Sequence, residues 1–228
     1  MLNAVLARID QNQNAAIERL FALMRIPSIS TDPAYAEDCT RAADWLVDDL
    51  TSIGFTATRH DTPGRPMVVA RHVANGPHIL FYGHYDVQPV DPLEDWNSPP
   101  FEPQLEDGAH GKLLRGRGSA DDKGQLMTFV EACRAFKEVT GALPGNITIL
   151  LEGEEESGSP SLIPFLEAHK GALSADIALV CDTNMWNRET PAITTSLRGT
   201  LAEEVTLHGA RIDLHSGMYG GAAVNPIH

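Results

Sequence analysis

HILFYGHYDV, residues 78–87, is the segment that decides the fold expected of this chain. It begins as an apolar, β-rich run and changes abruptly into histidine and aspartate. Two later segments repeat the pattern, NITILLEGEEE at 146–156 and ADIALVCDT at 175–183. Short apolar runs bounded by Gly or Pro are typical of buried strands. The sequence therefore predicts three strands that each end in residues able to bind a metal ion.

Helical segments alternate with these strands. Residues 2–25 and 36–52 carry apolar side chains at helical spacing, and residues 121–139 open with acidic residues, as a helix N-terminus favours. A further strand is predicted at 66–73 and a short helix at 161–170. This alternation predicts an α/β fold in which helices sandwich a mostly parallel sheet.

Two regions depart from the alternation. Residues 91–119 are rich in Pro, Gly and Asp and lack periodicity, which favours a long functional connection. From residue 197 the sequence predicts a strand and a Gly-rich loop, and residues 222–228 predict the start of a helix. We therefore expect one domain at 1–196 and the beginning of a second, truncated domain at 197–228.

Composition narrows the classes of function. The 228 residues carry a net charge of −14 without a Lys/Arg cluster, so nucleic-acid binding is not expected. The three cysteines, Cys39, Cys133 and Cys181, are scattered and odd in number, which fits a reducing cytoplasm. The N-terminus lacks the apolar core of a signal peptide, and no stretch approaches the ~20 apolar residues of a membrane span. We therefore expect a cytoplasmic protein without a membrane partner.

Potential metal ligands follow all three predicted strands. His84 and Asp86 follow the first, Glu155 and Glu156 the second, and Asp182 the third. Because ligands gather beyond the carboxyl ends of parallel strands, we expect these side chains at one edge of the sheet. Asp86, two residues after His84 along an extended chain, points the same way and can accept the second ring N–H of the imidazole.

Each of these motifs has a structural alternative when taken alone. The acidic run at 154–156 resembles a surface charge run, and Asp182 suits an Asx-turn. Asp121 and Asp122 open a helix, where Asp122 is expected to act as a cap while Asp121 lies in the loop and can bridge two cations. Together, however, they form a mixed His/carboxylate set that favours two Zn²⁺ ions, with Mn²⁺ or Co²⁺ as alternatives.

Five motifs in order resemble a known family. They are GHYDVQP (83–89), GRGSADDKG (116–124), EGEEESGS (152–159), DTNMW (182–186) and DLHSGMYGG (213–221). As a set, the chain resembles the aminoacylase/carboxypeptidase/dipeptidase family of co-catalytic zinc peptidases, and most of all its carnosinase-like, cytosolic dipeptidase branch. The resemblance covers almost the whole chain.

The resemblance implies a role for each site residue. His84 would bind one metal ion with Asp86 orienting it, and Asp121 would bridge the two ions. Aligning the small residues after the acidic run makes Glu155 the catalytic base and Glu156 a metal ligand.

The resemblance also assigns the remaining positions. Asp182 would bind the other metal ion. His215 would lie in a lid and dimerisation domain of the α+β class, from which it reaches the partner subunit's active site. Residues 197–228 would then be the start of that lid.

The resemblance implies a metal-dependent peptidase that hydrolyses dipeptides or short peptides through a water activated by two metal ions, as a homodimer formed through the lid. The motifs leave two alternatives open. One is a deacylase acting on an N-acyl-amino acid or a succinyl-diaminopimelate-type substrate. The other is an inactive truncated fragment that only binds metal.

Members of this family extend well past residue 228 and supply a final His ligand, for which His228 is not expected to substitute. We therefore expect the 228-residue chain alone to bind one metal ion weakly and to hydrolyse dipeptides little or not at all. Dipeptide hydrolysis measured with added Zn²⁺ or Mn²⁺ checks this expectation. Near-normal turnover by the chain alone would contradict it.

Overall fold

The computed structural model describes residues 1–227, which form two compact units, the first spanning Met1–Asn184 and the second beginning at Met185. A five-stranded sheet in the order β1-β2-β6-β3-β7 lies in the first unit. The strands are β1 (Thr56–His60), β2 (Met67–His72), β3 (His78–His84), β4 (Gln104–Gly108), β5 (Gly111–Arg115), β6 (Asn146–Glu152) and β7 (Ile177–Val180). The helices are α1 (Leu2–Met24), α2 (Ala36–Ile53), α3 (Lys123–Thr140), α4 (Leu162–Ala168), α5 (Lys170–Leu173) and, in the second unit, α6 (Ser216–Tyr219).

The three strands predicted from the opening motifs lie side by side. β3 is the central one and runs parallel to both β6 and β7. Its last residue, His84, is in register with Glu152 at the end of β6. Their carboxyl ends therefore meet at one edge of the sheet, which is the arrangement that brings loop residues of all three strands together.

The predicted α/β fold with helices flanking the sheet is confirmed, and the sheet is mixed. β1 pairs antiparallel with β2, and β2 pairs antiparallel with β6. β1 was not expected from the sequence, because its residues TATRH are mostly polar and at best partly buried. Such an edge strand carries little of the apolar pattern on which strand prediction depends.

Two hydrophobic clusters cover the faces of the sheet. On one face, α2 packs against β1 and β2 and α3 packs against β3, in a cluster of buried side chains such as Leu46, Leu126 and Phe81. On the other face, Phe165 and Leu173 pack against the sheet. These clusters hold the strand ends in a fixed frame, which a preorganised site requires.

A buried lysine joins α1 to α3. Lys123, fully buried at the start of α3, donates through Nζ to the backbone oxygens of Leu23 (3.1 Å) and Ile26 (2.8 Å). These carbonyls lie at and just past the end of α1, where intrahelical donors run out. Burial lowers the pKa of the ammonium group to about 7.

The aperiodic region also contains structure. Within residues 91–119, where the sequence predicts a long functional connection and no strand, β4 and β5 form an antiparallel hairpin. The strands of this hairpin are mostly exposed and mix charged residues with leucine. A solvated two-stranded ribbon lacks the clean alternation of a half-buried strand.

The second unit contains the short helix α6. The strand predicted after residue 197 is absent from the described residues, and Leu197, Leu201 and Val205 are exposed there. A strand requires a partner for its backbone groups and a surface for its apolar face, and this segment has neither within its own unit. His228 lies outside the described residues, and the predicted boundary at 196/197 stays a prediction.

Within residues 1–227, no helix combines the length and the apolar character that crossing a membrane demands.

Gly153, directly after β6, is packed too closely to accept a side chain. A Cβ there would lie 2.2 Å from the hydroxyl oxygen of Tyr85, which donates to the backbone oxygen of Pro66 at 2.6 Å. We expect Gly153→Ala to lower the free energy of unfolding by about 1–3 kcal/mol, the usual cost of overpacking.

Urea denaturation measures the effect, with Gly145→Ala as the control, because a Cβ at Gly145 meets nothing within 4 Å. Equal stability of the two variants would contradict the packing argument.

Candidate active site

His84 is the centre of the site. It is buried at the end of β3, and its Nε2 lies 3.1 Å from Oδ1 of Asp121 and 3.7 Å from Oδ2 of Asp182. One ligand atom from each of these three residues lies within 4.8 Å of the others. The three side chains come from β3, from the loop before α3 and from the loop after β7. The parallel pairing of β3 and β7 brings His84 and Asp182 to the same edge of the sheet, and the loop before α3 adds Asp121.

Asp86 lies on the other side of the imidazole. Nδ1 of His84 is 3.1 Å from the backbone oxygen of Asp86 and 3.3 Å from its Oδ1. Both neighbours are acceptors, so Nδ1 carries a proton, and Nε2 is the ring nitrogen that faces Asp121 and Asp182. A metal ion bound here would take Nε2 in its deprotonated form while the acceptors of Asp86 keep the proton on Nδ1.

The carboxylate of Asp86 also holds the turn that follows β6. Its Oδ1 accepts the backbone N–H of Glu155 at 3.2 Å, and its Oδ2 accepts that of Glu156 at 3.1 Å. Glu155–Ser157 form one turn of 3₁₀ helix. A single buried carboxylate therefore fixes both the histidine and the pair of glutamates.

Four acidic residues end β6 and begin the turn, and two of them have structural partners. Glu152 is buried and accepts the hydroxyl of Tyr82 at 2.6 Å. Glu154 is buried and accepts the backbone N–H groups of Arg65 (2.7 Å) and Ser161 (2.8 Å). Glu155 and Glu156 remain as the pair available for chemistry.

The structure does not bring Glu156 into the group formed by His84, Asp121 and Asp182 within the described residues. Its Oε2 instead accepts the side-chain amide of Gln88 at 2.5 Å. Its role as a metal ligand therefore stays a prediction, as does the role of Glu155 as the base.

Asp122 has a different role from the cap expected of it. It occupies the N-cap position of α3 but makes no capping bond with its side chain. Its Oδ2 accepts the backbone N–H of His84 at 3.0 Å, and Gly83 leaves room for that oxygen, since a Cβ would lie 2.8 Å from it. Asp122 thus ties the Asp121 loop to β3 and gives the buried backbone N–H of His84 a hydrogen-bond partner.

The electrostatics of the site call for a cation. Burial alone would lower the pKa of His84, but the hydrogen bond and charge of Asp86, with Asp122 and Glu155, outweigh it and raise the pKa to about 10. Burial and neighbouring acids raise the pKa of Asp122 to about 7 and raise those of Glu155 and Asp182. Acids that crowd around one imidazole are stabilised by a bound divalent cation, so the residues present fit a metal ion.

His215 belongs to the second unit. It precedes α6, and its Nδ1 accepts the backbone N–H of Gly217 at 3.0 Å. The role that the resemblance implies for His215 stays a prediction.

Gln88 was missed by the sequence analysis. It stands four residues after His84 and two after Asp86, in the segment that follows β3. Side chains two apart on extended backbone point the same way, so this spacing is the signal that could have found it.

An edge of a parallel sheet that gathers one imidazole and several carboxylates is the kind of site found in metal-dependent hydrolases. The sequence model of peptidase family M20/M25/M40 matches residues 80–225, and the chain belongs to that family.

Similar proteins include two dipeptidases. The chain is 32% identical over 234 residues to the Cys-Gly metallodipeptidase dug1 of Schizosaccharomyces pombe, covering 96% of this chain and 48% of that protein. It is 29% identical to the Beta-Ala-His dipeptidase of Homo sapiens, covering 100% of this chain and 47% of that protein. A solved structure of the di-peptidase Dug1p from Saccharomyces cerevisiae superposes with a TM-score of 0.75 at 26% identity, covering 100% of this chain and 50% of that one. The chain thus spans about half the length of the relatives it matches.

Replacement of Asp86 tests whether its carboxylate positions both His84 and the Glu155–Ser157 turn. Asp86→Asn keeps the size of the side chain but replaces one acceptor oxygen with an NH₂ group that faces a backbone N–H or the imidazole. We expect metal affinity to fall about 10- to 100-fold, as when other supporting partners of metal ligands are removed.

Chelator competition in the full-length protein measures this affinity. Asp107→Asn, in the exposed hairpin, is the matched control. Unchanged affinity in Asp86→Asn would show that Asp86 does not support the ligands.

Proposed function

We propose that this protein is a metal-dependent peptidase that hydrolyses dipeptides or short peptides with two divalent metal ions, of which zinc is the expected one. The observation that carries the proposal is the convergence of His84, Asp121 and Asp182 at the sheet edge, within 4.8 Å of one another. Membership of a peptidase family and the dipeptidase names of its relatives support it.

His84, Glu156 and Asp182 would hold the metal ions, with Asp121 bridging them. Oxygen and imidazole donors of this kind suit Zn²⁺, and Mn²⁺ or Co²⁺ would also fit. Metal ions bound there would supply Lewis-acid chemistry, which polarises a scissile carbonyl and makes a water more acidic. The same donors would lose much of their mutual repulsion, which is a second reason for them to bind a cation.

Glu155 is proposed as the general base. Its carboxylate is partly buried, and burial together with the charges of Asp182, Asp86 and Asp121 raises its pKa. A raised pKa brings a carboxylate closer to the value that suits proton transfer near neutral pH. Glu155 would take a proton from the attacking water and pass it to the leaving amine, and Asp86 would hold its backbone in place for both steps.

A dipeptide is the proposed substrate class. Two relatives are named for different dipeptides, Cys-Gly and Beta-Ala-His, so their names support the class and leave the particular dipeptide open. Deacylation of an N-acyl-amino acid is less favoured, because the relatives named above are dipeptidases.

The remaining expectations belong to the same proposal. Residues 1–196 would form the catalytic domain and residues 197–228 the start of a lid through which a homodimer forms. His215 would act from that lid in the active site of the partner subunit. The acidic composition supports the absence of a nucleic-acid partner, and the scattered, odd-numbered cysteines support a cytoplasmic protein.

Replacement of Glu155 tests its role. Glu155→Gln in the full-length protein should keep metal and substrate binding but lose about 10²–10⁴-fold in kcat, since an amide cannot accept the proton. Glu167→Gln, on the exposed side of α4, is the matched control and should keep the wild-type rate.

Steady-state kinetics with a dipeptide panel and metal analysis of each variant measure both quantities. If metal content fell while the rate per bound metal held, Glu155 would be a ligand and Glu156 the base.

A further inference from the structure

We propose that Gln88 is a positioning residue that holds the Glu156 carboxylate for metal binding, an inference that rests on the proposed function. Gln88 itself is not a ligand in this proposal. It acts through the hydrogen bond from its amide to a side chain that the sequence predicts to bind metal.

The contact between the two side chains is direct. Nε2 of Gln88 lies 2.5 Å from Oε2 of Glu156. An ionised carboxylate can only accept hydrogen bonds, so the amide presents its NH₂ group to it. One oxygen of Glu156 is thereby occupied by a neutral donor, and the other keeps its lone pairs for a cation.

The backbone of Glu156 is held by the same segment of chain. Oδ2 of Asp86 accepts the Glu156 N–H at 3.1 Å, and Asp86 stands two residues before Gln88. Residues 84–88 therefore supply a predicted ligand, the acceptor that holds the Glu156 backbone and the donor that holds its side chain.

The hydrogen bonds to Asp86 and Gln88 restrict the flexibility of Glu156. Its side chain has three rotatable bonds and is not among the three residues that already converge. Fixing a flexible ligand before the metal arrives removes part of the ordering entropy that binding would otherwise cost. A neutral amide does this without adding positive charge, which would weaken the attraction of the site for a cation.

Gln88→Met in the full-length protein tests the proposal, because methionine has similar length and no N–H donor. The matched control is Gln104→Met, at another exposed glutamine, in the β4–β5 hairpin. The readouts are the two stepwise Zn²⁺ affinities, from competition with a chromophoric chelator, and the absorption spectrum of the Co²⁺-loaded protein. We expect one of the two Zn²⁺ affinities to fall about 10- to 100-fold in Gln88→Met, with an altered Co²⁺ spectrum and none of this in the control.

Three results would overturn the proposal. Wild-type affinity at both sites would mean that the amide does not matter. Tighter binding would mean that Gln88 withholds Glu156 from the metal. Equal weakening at both sites would mean that the effect does not pass through Glu156. Thermal unfolding of the metal-free variant should match the wild type, since Gln88 is exposed.

These readouts separate the inference from the proposed function. If the wild-type protein binds two metal ions but hydrolyses no dipeptide, the function fails while the Gln88 result still stands on metal affinity. If it hydrolyses dipeptides and Gln88→Met leaves both affinities unchanged, the function stands and the role of Gln88 fails.

Discussion

The carboxylate of Asp86 is the contact on which the candidate site depends. It lies 3.3 Å from Nδ1 of His84 and accepts two successive N–H groups of the turn after β6. Histidine and glutamates come from strands more than sixty residues apart in sequence. A buried charge that satisfies both partners at once lets the sheet present them in one geometry, and removing it would leave polar groups without partners.

Several carboxyl groups lie close together around Asp86 and His84, which is unfavourable for the stability of the fold. Asp122, which ties the Asp121 loop to His84, is buried with its pKa raised to about 7. Burying carboxylates in this way costs stability unless protons or cations compensate. Glu154 shows the alternative solution, since two backbone N–H groups satisfy it and no metal is needed. Asp122 accepts only one backbone N–H among the described residues. Asp121 and Asp182 face the imidazole of His84, so a cation belongs on this side of the histidine.

Much of this arrangement could be predicted from the sequence. Apolar runs predict β3, β6 and β7, and parallel pairing of these strands places their carboxyl ends at one edge of the sheet. His84 and Asp182 were found in this way, and Asp121 was found from the acidic residues that open the helix predicted at 121–139. The hydrogen bond that Asp122 accepts from the backbone of His84 was not predicted. An aspartate at this position suits both a helix cap and such an acceptor, so the sequence alone does not distinguish the two roles. Gln88 was missed because its partner Glu156 lies 68 residues away. The β4–β5 hairpin was not predicted, because solvent-exposed strands show no clear alternation of apolar and polar residues.

β7 differs from the other two strands that carry the site. Within the described residues it pairs with β3 alone, and its Ile177 and Val180 are 53% and 52% exposed. Few buried contacts make an edge strand the part of a sheet that opens most readily. Asp182 follows this strand, whereas His84 ends the buried one beside it. A cation bound by both Asp182 and His84 would link the edge strand β7 to the buried strand β3 and make opening of β7 less favourable. Metal binding would therefore slow the exchange of the β7 amide hydrogens with deuterium.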